Sequence, residues 1–282
     1  MDIRQLSNND IQQILPDREP ETHKGDYGKI LLLCGSRGYT GAAALSAMGA
    51  LRSGAGLVYL AVPESIYAIE AVKVTEPVVL PMPDEDGMFS TDTPSKLASL
   101  LPKMDAVLIG PGIGCSNGTY TTVKCVLESF SGPVILDADG INVLQDHIDI
   151  LRGRTSSTIL TPHYGEFLRI AGQVSTDKIS DAKCFAAKTG AIVLLKGNKT
   201  VITDGCDVYI NPTGNPGMAV GGSGDVLSGI IAALLGQGIS PLLSAVCGAW
   251  LHGAAGDICA AELGQYGMLP TDMLQVLPRL LK

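Results

Sequence analysis

The chain has 282 residues, 46% hydrophobic and 17% charged, which is apolar material enough for a sizeable core. Its 28 acidic residues against 20 basic ones give a net charge of −8, excluding the clustered basic surface of a nucleic-acid binder. Aromatic residues make up only 5%, too few for a platform that stacks single-stranded bases.

The first ten residues are polar and lack the apolar stretch of a signal peptide. No uninterrupted apolar run approaches the roughly 18 residues of a membrane span, so no membrane partner is expected. Short apolar runs rich in β-branched residues follow at 29–34, 57–62, 105–109, 134–136, 158–160, 191–195 and 200–203. They are continuous rather than alternating, the pattern of strands buried on both faces of a parallel sheet. Helix-length segments at 42–54, 119–130 and 181–189 separate several of them. Such alternation predicts right-handed βαβ units in an α/β layered fold. The runs 200–204 and 208–211, joined by Gly205-Cys-Asp207, read as a hairpin. Beyond Pro212 the pattern becomes helical, at 225–236, 241–261 and 271–281. No linker, repeat or low-complexity tract divides the chain, so one domain over 1–282 is expected. The seven cysteines are scattered and form no C-x-x-C pair, which predicts buried, reduced thiols in a cytoplasmic protein.

In a parallel sheet, function gathers where strands end and helices begin. Six loops rich in glycine or charge sit at such points: 35–41, 110–114, 137–140, 161–166, 196–200 and 221–225. Together they imply one shared cleft. The most informative is Asn215-Pro-Gly-Met-Ala-Val-Gly-Gly-Ser-Gly-Asp225, which runs into an apolar helical stretch. Glycines let backbone amides approach a ligand, and the unpaired N–H groups of a helix start can hold a phosphate. Asp225 is the candidate base, with the amides around Gly222, Ser223 and Gly224 stabilising a transferring phosphoryl group. Helix capping is the competing reading of an aspartate there, but capping alone needs none of the preceding glycines.

Other chemistries are missing. There is no G-x-x-x-x-G-K-[ST] phosphate loop, and Asp225 stands where a G-x-S-x-G elbow needs its last glycine. The turn Gly110-Pro-Gly-Ile-Gly114 has too few glycines in register for a dinucleotide fingerprint. His163, between Pro162 and Tyr-Gly-Glu166, reads as a ligand contact in a cleft loop, although a lone histidine is often structural. Glu166 either favours the dipole of the helix it begins or holds water on a magnesium ion. Asp137 and Asp139 suit a polar turn or a ligand hydroxyl. Lys196 either cradles phosphate with Lys199 or carries solvated charge at a strand end. His252 and Asp257 read as packing features of a Gly/Ala-rich helix, and His23 and His147 give no signal.

Taken in order, these loops resemble the ADP/ATP-dependent NAD(P)H-hydrate dehydratases of the ribokinase-like superfamily. The matching segments are His23-Lys-Gly-Asp-Tyr-Gly28, Gly35-Ser with Tyr39-Thr-Gly-Ala-Ala43, Gly110-Pro-Gly-Ile-Gly114 and Ile135-Leu-Asp-Ala-Asp-Gly140. They continue with Ile159-Leu-Thr-Pro-His-Tyr-Gly-Glu166, Leu195-Lys-Gly-Asn-Lys-Thr200, Asn211-Pro-Thr-Gly-Asn215 and Gly221-Gly-Ser-Gly-Asp225. The resemblance implies a three-layer α/β/α fold with a central, mostly parallel sheet flanked by helices. It implies a metabolite-repair enzyme that phosphorylates the ring hydroxyl of the (6S)-hydrate of NADH or NADPH and eliminates phosphate. The expected co-substrate is ADP, giving AMP, with ATP used by eukaryotic members, and Mg2+ as cofactor. Ala42, Gly112, Asp137, Asn142, His163 and Asp225 are then expected on the hydrated substrate. Lys196, Gly197, Asn198, Lys199 and Thr200, with Gly222, Ser223 and Gly224, are expected on the adenine nucleotide. Asp225 is the base, and Glu166 a water-mediated metal contact. Tyr164 replaces the proline of the family's usual His-Pro-Gly-Glu, and His163 stands where many superfamily kinases carry the asparagine of Asn-x-x-Glu. A homotetramer and an epimerase on a separate polypeptide are further expectations. Two other readings compete: a ribokinase-like kinase of a small vitamin precursor, and a nucleotide-binding sensor without turnover.

Overall fold

The structure, a computed structural model, describes residues 3–172 and 174–281. Its centre is set by strands with two buried faces. In Lys29–Leu33, Leu31 and Leu33 enter one core while Ile30 and Leu32 enter the other, and all four are fully buried. Successive side chains of a strand point to opposite faces, so a continuous apolar run requires cover on both sides.

Twelve strands occur among the described residues: β1 (Ile3–Arg4), β2 (Lys29–Leu33), β3 (Leu57–Pro63), β4 (Val78–Met82), β5 (Asp84–Glu85), β6 (Met88–Phe89), β7 (Ala106–Ile109), β8 (Val134–Leu136), β9 (Thr158–Leu160), β10 (Ile192–Leu195), β11 (Val201–Thr203) and β12 (Val208–Ile210). Ten form one sheet in the order β1-β12-β11-β10-β9-β8-β7-β2-β3-β4, and β5–β6 form a separate ribbon. Within the ten-stranded sheet pairing is parallel except for β10–β11 and β11–β12, the latter being the expected hairpin; the ribbon is antiparallel. The edges escape the sequence pattern. β1 has only two residues and exists through its partner β12, while β4 carries Pro81, which an edge strand tolerates.

One face of the sheet is covered by the helices Asn117–Ser129, Tyr164–Ala171 and Lys178–Thr189, the other by Thr40–Arg52 and Ser223–Gly236. A third cluster fills the space between Ser223–Gly236, Pro241–Leu263 and Pro270–Val276. The predicted last helix, 271–281, is shorter than expected. It ends at Val276 and continues as a 3-10 turn, Leu277–Arg279, because Pro278 cannot extend an α-helix. Among the described residues, Pro241–Leu263 alone is long and apolar enough to cross a membrane, and two-thirds of that apolar stretch (67%) lies buried within the fold. The seven cysteines divide: Cys34, Cys247 and Cys259 are buried and Cys125 is half-buried, but Cys115, Cys184 and Cys206 are exposed. The expectation of buried thiols is therefore corrected for the latter three, which sit in or beside surface turns and on a solvent-facing helix position.

Candidate active site

The central strands β3-β2-β7-β8-β9-β10 run parallel, so the loops that follow them emerge at one edge of the sheet. Register then decides which side chains meet. Leu136 pairs with Leu160, and beyond the strands His163 bridges to Lys196. This alignment brings together residues far apart in sequence.

Lys196 stands at the charged centre. Its Nζ lies 2.8 Å from Asp137 Oδ1 and 4.0 Å from Glu166 Oε2. Burial opposes the ammonium charge, but Asp137, Glu166 and Asp225 outweigh it and raise the Lys196 pKa above its ordinary value. A Cβ on Gly224 would lie 3.4 Å from Lys196 Nζ and 4.0 Å from Asp137 Oδ2, so the first turn of the Ser223–Gly236 helix rests against this cluster. Asp137 is 1% exposed and also accepts the Ala138 N–H at 2.9 Å. Ala138 itself holds φ +48°, a conformation that costs a non-glycine residue about 1–3 kcal/mol and persists only where its surroundings impose it.

Asp225 lies in the first helical turn beside this group. Burial raises its pKa from 3.8 to about 6; the Asp137 charge adds to the rise and Lys196 opposes it. The helix begins after Gly222, whose φ of +95° suits glycine alone, and no side chain caps its amides. Asp225 does not reach back to cap, which removes the bland reading of that residue. Close packing fixes the helix: a Cβ on Gly229 would strike the Ser46 carbonyl, and one on Gly49 would lie 2.8 Å from the Val226 carbonyl oxygen. The helices Thr40–Arg52 and Ser223–Gly236 thus approach at backbone distance.

The Tyr164–Ala171 helix starts differently. His163 Nδ1 accepts the Glu166 N–H at 3.1 Å, and Glu166 Oε2 accepts the His163 N–H at 2.8 Å. This reciprocal capping box gives Glu166 a structural role at the start of its helix. The His163 side chain remains 56% exposed toward solvent.

Of the other candidates, Ala42 and Gly112 meet: a Cβ on Gly112 would lie 2.8 Å from Ala42 Cβ. Ser36, in the 35–41 loop but given no role by the sequence pattern, ties their loops together by donating its hydroxyl to the Gly112 carbonyl at 2.7 Å. Asp137 and Asp139 part company. Asp139 accepts the Gly114 N–H at 3.0 Å and the Asn142 amide at 3.1 Å, and Asn142 accepts from Arg169 at 3.0 Å. Asn142 is therefore drawn toward the 110–114 turn and Arg169 rather than the lysine cluster. Gly197, Asn198 and Lys199 are exposed; the turn is closed by Thr200, whose hydroxyl donates to the Gly197 carbonyl at 3.0 Å. Among the described residues, no group of three or more His, Cys, Asp or Glu side chains is arranged to hold a metal ion. A divalent cation here would need phosphate oxygens and water beside Asp137 or Glu166, which suits magnesium.

Fold and site together define a ribokinase-like protein. A solved ribokinase-like superfamily protein from Enterococcus faecalis superposes with a TM-score of 0.86 at 28% identity, covering 98% of this chain and 94% of that one. The chain belongs to the NAD(P)H-hydrate dehydratase family, whose model matches residues 30–279. It is similar to an ADP/ATP-dependent NAD(P)H-hydrate dehydratase from Bacillus subtilis solved with ATP and Mg2+: TM-score 0.84, 32% identity, 97% and 96% covered. It is also 45% identical over 275 residues to a bifunctional NAD(P)H-hydrate repair enzyme from Moorella thermoacetica, covering 95% of this chain and 52% of the relative. The chain spans about half the length of the curated relatives it matches (52%).

Proposed function

We propose that this chain dehydrates the (6S)-hydrate of NADH or NADPH at the expense of ADP, releasing AMP and phosphate. The observation that carries this reading is the pairing of a non-capping Asp225, its pKa lifted to about 6, with an uncapped glycine turn against Lys196. Asp225 accepts the proton of the ring hydroxyl as its oxygen attacks the terminal phosphoryl group. The amides of Gly222 and Gly224, with Lys196, offset the negative charge of that group, while the Ser223 amide is held by the Val220 carbonyl at 3.3 Å. AMP departs as the phosphoryl group is transferred; phosphate then leaves with the C–O bond electrons while the adjacent ring carbon gives up a proton to solvent, re-forming the ring double bond. Phosphorylation matters because hydroxide is a poor leaving group and phosphate is a good one.

The hydrated ring is assigned to Ala42, Gly112, His163 and Asp225, with Asp137 and Asn142 on the same side. The nucleotide is assigned to 196–200 and 222–224. Mg2+ is assigned to water-mediated contact with Glu166, supplying charge neutralisation to the phosphates. A cytoplasmic location and a homotetramer complete the proposal. Light scattering tests the tetramer. Incubation with hydrated NADH and ADP tests the main reading: reduced-nicotinamide absorbance returns as AMP accumulates. A stable phosphorylated alcohol formed from ATP instead would establish the small-molecule kinase, and binding without turnover would establish the sensor.

A further inference from the structure

The long helix Pro241–Leu263 meets the 211–225 segment along one face. Asn211 donates to the Ala249 carbonyl at 3.1 Å, and the Thr213 hydroxyl donates to the Trp250 carbonyl at 2.9 Å. Asp257 accepts the Gly214 N–H and the Asn215 amide, each at 2.9 Å. A Cβ on Gly253 would strike Thr213, so the loop lies directly on the helix. Positions 249, 253 and 257 recur at helical spacing and form a rail for the loop. His252, on the same helix, reaches the far end of the segment. Its Nε2 lies 3.2 Å from the Ser223 hydroxyl, and both residues are 8% exposed.

We infer that His252 is a positioning residue for phosphoryl transfer: its imidazole fixes the Ser223 hydroxyl and, with it, the first turn that carries Gly224 and Asp225. Ser223 is the first residue of the catalytic helix, two positions before the base, and no side chain caps that helix. Without a buried partner, its hydroxyl would be free to rotate or to turn back onto a local carbonyl. Burial holds the imidazole pKa down to about 4 against an opposing contact with the Ser223 backbone, and the Lys196 charge adds to the lowering, so the ring is neutral at physiological pH. A neutral ring keeps one donor and one acceptor and adds no charge beside the phosphoryl site.

This inference rests on the dehydratase reading for its kinetic test. His252→Leu should lower kcat roughly 10- to 100-fold, the scale of a small displacement in a reacting geometry, with KM for the hydrated dinucleotide nearly unchanged. His252→Gln, which restores a polar group at similar reach, should recover most of the loss. Ser223→Ala should match His252→Leu, and the double variant should be no worse than either single one, as expected for one shared interaction. Multiplying losses, or no loss in His252→Leu, would overturn the inference while leaving the dehydratase reading standing. An activity-independent readout separates the two ideas. Imidazole nitrogen resonances of His252 should move on Ser223→Ala in the ligand-free protein, and unmoved resonances would sink the inference whether or not the wild type turns over.

Discussion

Two helices begin at the same cleft and begin in opposite ways. Tyr164–Ala171 opens on a closed capping box, with His163 and Glu166 satisfying each other's backbone amides. Ser223–Gly236 opens on Gly222 in a left-handed conformation, with no side-chain cap. Both first turns carry an acid, Glu166 and Asp225, and both acids sit within the field of Lys196. The difference lies in what each acid does with its oxygens. Glu166 spends one on its own helix, whereas Asp225 is left without a capping partner, and burial raises its pKa to about 6. An acid that caps has one oxygen committed to its helix; an acid that declines to cap keeps both for chemistry.

Replacing the free acid is the hardest test of that contrast. Asp225→Asn should cut turnover by roughly 10²–10⁴-fold while nucleotide binding persists, and unchanged turnover would end its role as base. The same variant has a stability signature. In the fold the Asp225 pKa rises from 3.8 to about 6, so its ionisation penalty is absent below the lower value and complete above the higher. Asp225→Asn should therefore raise Tm at pH 8 and leave it nearly unchanged at pH 3. In the wild type, kcat/KM should fall about tenfold per pH unit below about 6 as the base is protonated, and a profile flat down to pH 5 would contradict this. Gly222→Ala places a side chain at φ +95° against Leu45. The strain of about 1–2 kcal/mol should weaken ADP binding roughly tenfold, read by calorimetry. Smallest is His163→Ala, which removes the cap of the other helix and about 1 kcal/mol of stability. It should weaken the hydrated dinucleotide more than ADP, and equal effects would remove His163 from the substrate side.

Much of the frame is legible in the chain. The apolar runs at 29–34, 105–109, 134–136 and 191–195 become central strands because a side-chain alternation buried on both faces leaves no other arrangement. The hairpin and the glycine-aspartate loop are likewise local signals. The edge strands β1 and β4 are not, since two residues or a proline-bearing run become strands only when a neighbour supplies hydrogen bonds. At the site, Asp137 and Asp139 look alike in sequence, yet one turns to Lys196 and the other to Gly114. Likewise, nothing near Ser223 points to His252.

The order of residues by itself settled the layered α/β architecture and the placing of glycine and charge at strand exits, because periodicity and turn chemistry act over a few neighbours. Only the tertiary structure decided which carboxylate caps, which stays free, and which lysine and histidine stand behind the glycine turn. Those choices depend on partners separated by 59 residues for Lys196 and Asp137 and by 29 for His252 and Ser223, which sheet register and helix packing alone bring within hydrogen-bond reach.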